Sequence, residues 1–345
     1  MDKNIQYNTP DVGNHIIGLD CLKVLAIFAV VWVHGSDMNK LAKSLRTYCV
    51  FAVPCFVIMS AFLMQLSYSK KTDRGYLDLL YSRFKRLVPA YLVWSVLYLI
   101  FRFIKRKFVS DLPIDFDLIV IIFCGGASYQ LWFVPVLLVL TSIFTPLIIF
   151  TTKRDNGNSL IASLFVLVVF MLWADMKSRA FLHFSGGYAI FDPINGLSGY
   201  FILGIGLWLL FRKCSIYTRN KFAIMSVGIS FLLLALILPS FRIEFSRNLF
   251  ILFYSLLLFV SFFLIFLYIK WPFLGFITKF LAPCSFGIFL CHGIFVEGFQ
   301  IFINIAGIDN TTFVTSIGVI LASYLCSAVL CIALRIYKVT RWLVV

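Results

Sequence analysis

Apolar residues run along this chain in long blocks, and polar or charged residues are confined to the short stretches between them. A helix that crosses the roughly 30 Å hydrocarbon core of a bilayer needs about 20 residues. The blocks have that length, and they predict an all-α transmembrane helix bundle of about ten spans. We place the spans near residues 19–37, 49–68, 87–104, 131–150, 159–175, 196–211, 222–239, 248–269, 284–304 and 312–336.

Composition supports a membrane protein. Hydrophobic residues make up 61% of the 345 residues and charged residues only 13%, whereas about a quarter of a soluble domain is charged. We therefore expect lipid around a single integral membrane domain over residues 1–345, with a short cytoplasmic tail at 1–17. The apolar stretch Ile114–Gly126 is too short to span and indicates an interfacial or re-entrant segment. The nine cysteines form no Cys-x-x-Cys pair, so neither a metal site nor a disulfide framework is expected.

The net charge of +15 comes from basic residues at the ends of apolar blocks, as the positive-inside rule predicts. If the N-terminus is cytoplasmic, the segments on the cytoplasmic side hold most of the 30 Lys and Arg residues. We therefore predict that both termini are cytoplasmic. Nucleic-acid binding is not expected from charge placed in this way.

The first predicted span contains three titratable side chains, Asp20, Lys23 and His34. Such groups are costly within a bilayer and are functional candidates by default. Lys23 and His34 are eleven residues apart, so on a helix they share one face at a rise of about 16 Å. The alternative is structural: Lys23 extends to the membrane interface and His34 ends the helix.

The third predicted span opens with Arg83 and Arg86, which are three residues apart and share a helix face. Two guanidinium groups suit phosphate binding, because each matches phosphate with two hydrogen bonds. Simple positive-inside anchoring is the alternative. Further along, His292 lies inside the ninth predicted span and Glu297 follows five residues later, so both are candidates for a polar cavity.

Motifs in five predicted helices, in the same order, resemble those of the membrane-bound acyltransferase family 3, bacterial multi-pass enzymes that modify surface glycans. They comprise Asp20, Lys23 and His34; Pro54–Phe62, which includes Ser60; Arg83, Arg86 and Pro89; Leu131, Trp132 and Phe133; and Ser285, Gly287, Phe289 and His292. The chain departs from the family pattern where Lys23 replaces a commoner Arg, Ala61 replaces Gly and Phe289 replaces Tyr.

The resemblance implies transfer of an acyl group, usually acetyl, from cytoplasmic acyl-CoA to a sugar hydroxyl in a bacterial inner membrane. Acyl-CoA would be a co-substrate, with no permanently bound cofactor, and the acceptor would be a surface or lipid-linked glycan. The expected catalytic group comprises His34 as general base, Lys23, and Asp20, which would hold Lys23 or another group near the inner end of the helix. Arg83 and Arg86 would grip the coenzyme phosphates. Ser60, Trp132, His292 and Glu297 would line the chamber.

Two other classes of function stay open. A transporter or glycan flippase would also have many helices and a polar cavity, although no internal repeat of the kind found in duplicated transporters is evident. A scaffold without chemistry would leave the titratable groups of the spans unexplained. The residues do not distinguish direct transfer from an acyl-imidazole intermediate on His34, nor do they identify the acyl group.

Overall fold

The computed structural model describes residues 16–106, 117–153, 167–168, 191–213, 221–237, 247–268, 272–309 and 311–344, and these ranges contain no β-strand. The first helices are α1 (Ile17–Gly35), α2 (Lys40–Ser44), α3 (Ala52–Ser69), α4 (Tyr76–Arg106), α5 (Leu118–Cys124) and α6 (Phe133–Lys153). The later helices are α7 (Phe191–Lys213), α8 (Lys221–Ile237), α9 (Arg247–Tyr268), α10 (Pro272–Leu281), α11 (Ser285–Ile305) and α12 (Phe313–Ile336). Three-residue and five-residue 3₁₀ turns lie at Leu45–Cys49, Ala282–Cys284 and Arg341–Leu343.

The predicted all-α class is confirmed for the described residues, but the number of spans is not confirmed as ten. Within the part of the chain that the structure describes, six segments are long and apolar enough to cross a membrane: Ile17–Gly35, Lys40–Ser69, Tyr76–Arg106, Phe133–Lys153, Pro272–Ile305 and Phe313–Ile336. Shorter apolar helices cover Gly196–Arg212, Ile224–Ile237 and Phe250–Phe266. The predicted span at 159–175 lies outside the described residues, apart from 167–168.

The outer faces of the long helices are apolar. On α4, for example, Val96, Ile100 and Phe103 are each at least half exposed, and on α12 Val314 and Val329 are more exposed still. A water-soluble protein rarely leaves such continuous apolar surface uncovered. We therefore expect lipid to contact the bundle at these faces.

Helix α1 lies at the centre of the bundle and contacts α3, α9, α10, α11 and α12. A glycine at each end of α1 permits close packing, as small residues do in membrane helices. A Cβ atom on Gly18 would collide with the Phe262 carbonyl of α9, and one on Gly35 would lie 2.7 Å from the Ile320 side chain of α12. The titratable residues of α1 are therefore surrounded by other helices.

Helix α4 begins at Tyr76, eleven residues before the third span expected from hydrophobicity. Its first turns are rich in charged residues, so the hydrophobic pattern did not predict a helix there. Leu79 in these turns is nevertheless buried. The Asp78 carboxylate also accepts a hydrogen bond from the Gly75 N–H at 2.9 Å, which stabilises the start of the helix. As a result Arg83 and Arg86 lie about two turns inside a helix instead of at its opening.

The short apolar stretch before α6 does not cross the bundle. Its described part is α5, which the Asp117 side chain caps at Ile119 and Val120. The helix ends at Gly125, whose φ of 74° favours glycine. A Cβ atom there would also collide with the Trp132 backbone, so the chain turns back directly into α6.

Contacts between helix ends define two ends of the bundle. Lys23 lies near the start of α1, and Arg335, near the end of α12, donates to the Lys279 carbonyl at the end of α10. At the opposite end, the Asn39 amide after α1 donates to the Thr311 carbonyl before α12 at 2.6 Å. The start of α1 and the end of α12 therefore lie at one end, and the connections after α1 and before α12 lie at the other.

Candidate active site

A cavity of about 430 Å³ opens between α1, α3, α4, α6 and α11. Four basic side chains line it, and we call it the basic cavity: Lys23, Arg74, Arg83 and Arg86. The rest of the wall is mostly apolar, with the hydroxyl groups of Ser60, Ser82 and Ser285 among the lining residues. The volume is that of an ordinary small-molecule site, and the charge favours an anionic ligand.

Two of these cations are held by neighbouring side chains. The Lys23 ammonium forms an ion pair with the Asp20 carboxylate at 2.8 Å, one turn earlier on α1. The Arg83 guanidinium donates from Nη2 to the Ser60 hydroxyl at 2.8 Å and to the Ser60 carbonyl at 3.1 Å. Arg83 therefore spans from α4 to α3 with its other N–H groups still available, because a guanidinium has five.

Two phenylalanines form the wall of the basic cavity on α6 and α11. The rings of Phe133 and Phe289 meet edge to face with centroids 5.3 Å apart, and both side chains are buried. Phe289 also lies 6.1 Å from the ring of His292. Aromatic side chains thus separate the basic cavity from the imidazole behind it.

Behind this wall, three rings form what we call the histidine cluster: His34, His292 and Tyr129. The His34 ring lies 5.5 Å from that of His292 and 4.5 Å from that of Tyr129, between centroids. Tyr129 is partly exposed. Partial burial, together with the carboxylates of Glu297 and Asp37, raises the pKa of the Tyr129 phenol, so its hydroxyl stays protonated at neutral pH.

Ion pairs lie near the histidine cluster. Arg46 binds the Asp37 carboxylate at 2.6 Å and donates from Nε to the Ser36 hydroxyl at 2.7 Å, just after the end of α1. Lys105 of α4 binds the Glu297 carboxylate of α11 at 2.7 Å. These polar groups lie at the opposite end of the bundle from Arg83 and Arg86.

The residues predicted to line one chamber are thus divided between two places. Ser60 lines the basic cavity and holds Arg83. His292 instead lies beside His34, Glu297 is paired with Lys105, and Trp132 packs against Phe133 outside the lining of the cavity. His34 itself lies beyond Phe289, not in the basic cavity with Lys23.

Sequence reasoning gave no role to Arg74, Tyr129, Phe133 or Phe289 in the site. Arg74 belongs to the polar link between α3 and α4, where nothing in the local sequence separates it from an anchoring residue. Tyr129 precedes the Leu131–Phe133 motif by two residues. That proximity is the one feature of the sequence that could have marked Tyr129 as a site residue. Its contact with His34 depends on α5 and the turn after it.

The described residues show no group of three or more His, Cys, Asp or Glu side chains that could hold a metal ion. The eight described cysteines are free thiols. The nearest pair, Cys291 and Cys331, has its sulfur atoms 3.8 Å apart inside the contact between α11 and α12.

A family model described as an acyltransferase domain, that of acyltransferase family 3, matches residues 16–334. The chain belongs to this family. The match runs from the start of α1 into the last turn of α12 and includes every residue of the basic cavity and the histidine cluster. Together with the apolar helices it makes the chain a membrane acyltransferase. Comparison with curated proteins and with solved structures found no match.

An acyltransferase needs a site for its donor and a group that activates its acceptor. The basic cavity offers cations and hydroxyl groups to an anionic donor. The histidine cluster offers imidazole nitrogen, the usual proton acceptor near neutral pH. The two places are joined through Phe289, which contacts both.

Proposed function

We propose that the protein transfers an acyl group, acetyl in the first instance, from acyl-CoA to a hydroxyl of a surface or lipid-linked glycan. The observation that carries this proposal is the pairing of a basic cavity with a histidine cluster in a member of an acyltransferase family. The enzyme would work in the inner membrane of a bacterium, with the basic cavity facing the cytoplasm, where acyl-CoA is made.

The donor would bind through its phosphates. Arg74, Arg83 and Arg86 converge on the basic cavity, and guanidinium groups bind phosphate oxygens with charge-assisted hydrogen bonds. Lys23 adds a fourth positive charge beside Asp20. The Lys23–His34 rise of about 16 Å along α1 is comparable with the reach of an extended pantetheine arm, so phosphates at the basic end would place the thioester near His34.

His34 would act as general base. The acceptor hydroxyl gives its proton to an imidazole nitrogen of His34 as its oxygen attacks the thioester carbonyl. The carbon–sulfur bond then breaks, and the coenzyme thiolate takes the proton back from His34. The acceptor would approach from the other end, where Tyr129, Arg46 and Asp37 supply the hydrogen-bonding groups that a saccharide needs.

Mass spectrometry of surface glycans provides the test in cells. The parent strain, a deletion strain, and a deletion strain that expresses His34→Ala would be compared. We expect the acyl group only where active protein is present, and an unchanged pattern after deletion would contradict the proposal. A transporter would instead reduce the amount of glycan at the surface without changing its acylation.

A further inference from the structure

His292 is held by the backbone of its own helix. Its Nδ1 atom lies 2.8 Å from the Phe289 carbonyl oxygen and 3.1 Å from the Ile288 carbonyl oxygen. Carbonyl oxygens only accept hydrogen bonds, so Nδ1 must carry the proton. The backbone of α11 therefore fixes one tautomer of this imidazole.

The other nitrogen of His292 is then an acceptor without a partner. His292 has no exposed surface, and its Nε2 atom is buried without a hydrogen bond among the residues that the structure describes. Leaving a buried polar atom without a partner is destabilising, and a protonated ring with a buried, unpaired N–H would be more destabilising still. The neutral ring thus presents a lone pair in a fixed direction, away from its own helix backbone.

His34 is close enough to use that lone pair. The centroids of the two rings are 5.5 Å apart and their planes are inclined by 35°. Two imidazoles joined by a linear N–H···N bond of normal length have centroids about 5.2 Å apart. The observed centroid separation of 5.5 Å is therefore close to that of two imidazoles joined by a direct N–H···N bond.

We propose that His292 is a positioning residue for His34: its Nε2 atom accepts the N–H of His34 and so leaves the other His34 nitrogen free for the acceptor hydroxyl. This inference rests on the proposed function for the role of His34. A general base usually needs a third group that fixes its tautomer and orientation. Asp20 lies about four turns away on α1 and cannot serve as that group.

Two near-isosteric variants separate this role from a structural one. Asparagine places an amide nitrogen near the position of Nδ1 and keeps the bond to the α11 carbonyls, but it offers no acceptor at the position of Nε2. Glutamine places an amide oxygen near Nε2 and loses the bond to the carbonyls. We expect His292→Asn to lower kcat by roughly 10- to 100-fold, as loss of an orienting partner does, and His292→Gln to retain more activity.

The affinity for acyl-CoA and the KM for the acceptor should stay unchanged in both variants, because neither substrate is bound by His292. A purely structural role predicts the reverse order of activity, with His292→Asn close to the wild type. Either that order or an equal loss in both variants would overturn the proposal.

A second measurement does not depend on turnover. The chain contains four histidines, so the nitrogen NMR signals of histidine-labelled protein can be assigned with His34→Asn and His292→Asn. We expect His292 to be protonated at Nδ1 alone and to show scalar coupling across an N–H···N bond to His34. If the His34–His292 scalar coupling is present but the protein transfers no acyl group, the proposed function is contradicted and the contact between the two histidines is not. Transfer that requires His34 but shows no coupling, or protonation of His292 at Nε2, would contradict the positioning role only.

Discussion

His34 lies in the last turn of α1, and the rings of His292 and Tyr129 lie 5.5 and 4.5 Å from its own. Contacts with these two rings orient the imidazole of His34. Its position in the last turn keeps it away from Asp20 and Lys23 near the start of the helix. An imidazole in such a place can accept a proton from a hydroxyl and return it to a thiolate within one reaction.

We predict that His34→Ala abolishes turnover while the protein still folds and binds acyl-CoA. Loss of a general base lowers the rate by about 10²- to 10⁴-fold. The measurement is acyl transfer per folded molecule in proteoliposomes, alongside the thermal stability of the same preparation. Near-normal specific activity with lowered stability would mean that His34 only packs the helices together.

Arg86 and Arg102 offer a matched comparison for the donor site, because both lie on α4 but more than four turns apart. Arg86 lines the basic cavity, whereas Arg102 donates to the Gly126 carbonyl at 3.1 Å. We predict that Arg86→Ala weakens coenzyme A binding by about 1.5–3 kcal/mol, the value of a charge-assisted contact, or roughly 10- to 150-fold in Kd. Lysine should restore part of this loss, as a point charge without the planar fork.

Titration of the purified variants with coenzyme A provides the measurement. Arg102→Ala should bind as the wild type does. If both variants weaken coenzyme A binding equally, the binding depends on the overall positive charge of the protein and not on Arg86 itself. The corresponding variant Arg83→Ala is less selective, because it also removes the hydrogen bonds to Ser60 that connect α4 with α3, and we expect it to lower thermal stability as well.

Spacing along one helix was sufficient to predict some of these neighbours and not others. The three-residue interval between Asp20 and Lys23 places them on one face, and the structure pairs them. His34 and His292 lie on different helices, and no rule of local sequence measures the distance between them. Their contact depends on the packing of α1 against α11.

At the scale of elements, the main question is how the basic cavity communicates with the histidine cluster. Phe289 of α11 forms part of the cavity wall, meets Phe133 of α6 and contacts His292 one turn later. In the proposed mechanism, a thioester that reaches His34 from the basic cavity would pass this pair of rings. The same rings would keep water in the cavity away from the histidines.

We predict that Phe289→Leu increases hydrolysis of acyl-CoA in the absence of acceptor. The smaller leucine side chain no longer contacts Phe133, and the space it leaves lets water reach the thioester. Phe289→Tyr keeps the ring and should hydrolyse as little as the wild type. Phe286→Leu is the control, because Phe286 lines the same cavity without being one of the two rings in the wall. The readout is free thiol released over time, and equal release by all variants would exclude a barrier at Phe289.

The helices show where reasoning from hydrophobicity succeeds and where it does not. The apolar blocks predicted α1, α6 and α12 within a few residues, because a membrane helix must satisfy its backbone internally and be apolar outside. They missed the first turns of α4, where Leu79 is buried among charged neighbours. A helix that extends beyond the hydrocarbon needs no apolar surface there, so hydropathy carries no signal for it.

At the scale of the whole molecule, the two ends of the bundle differ in what they contain. One end has the start of α1 with Lys23 of the basic cavity, and the end of α12. The other has the connection Asn39–Thr311 and the Arg46–Asp37 pair. This polarity matches a reaction that takes its donor from one compartment and its acceptor from the other.

We predict that the N-terminus, the C-terminus and Arg74 face the cytoplasm, and that Asp37 and Asp309 face the opposite compartment. The reason is the positive-inside rule: if the N-terminus is cytoplasmic, the sequence segments assigned to that side hold most of the 30 Lys and Arg residues. Single cysteines at positions 74, 37 and 309, in a background without the native cysteines, would be labelled with a membrane-impermeant thiol reagent in intact and in permeabilised cells. Positions 37 and 309 should react in intact cells and position 74 only after permeabilisation. Labelling of position 74 in intact cells would place the basic cavity away from cytoplasmic acyl-CoA and would contradict the donor site proposed for it.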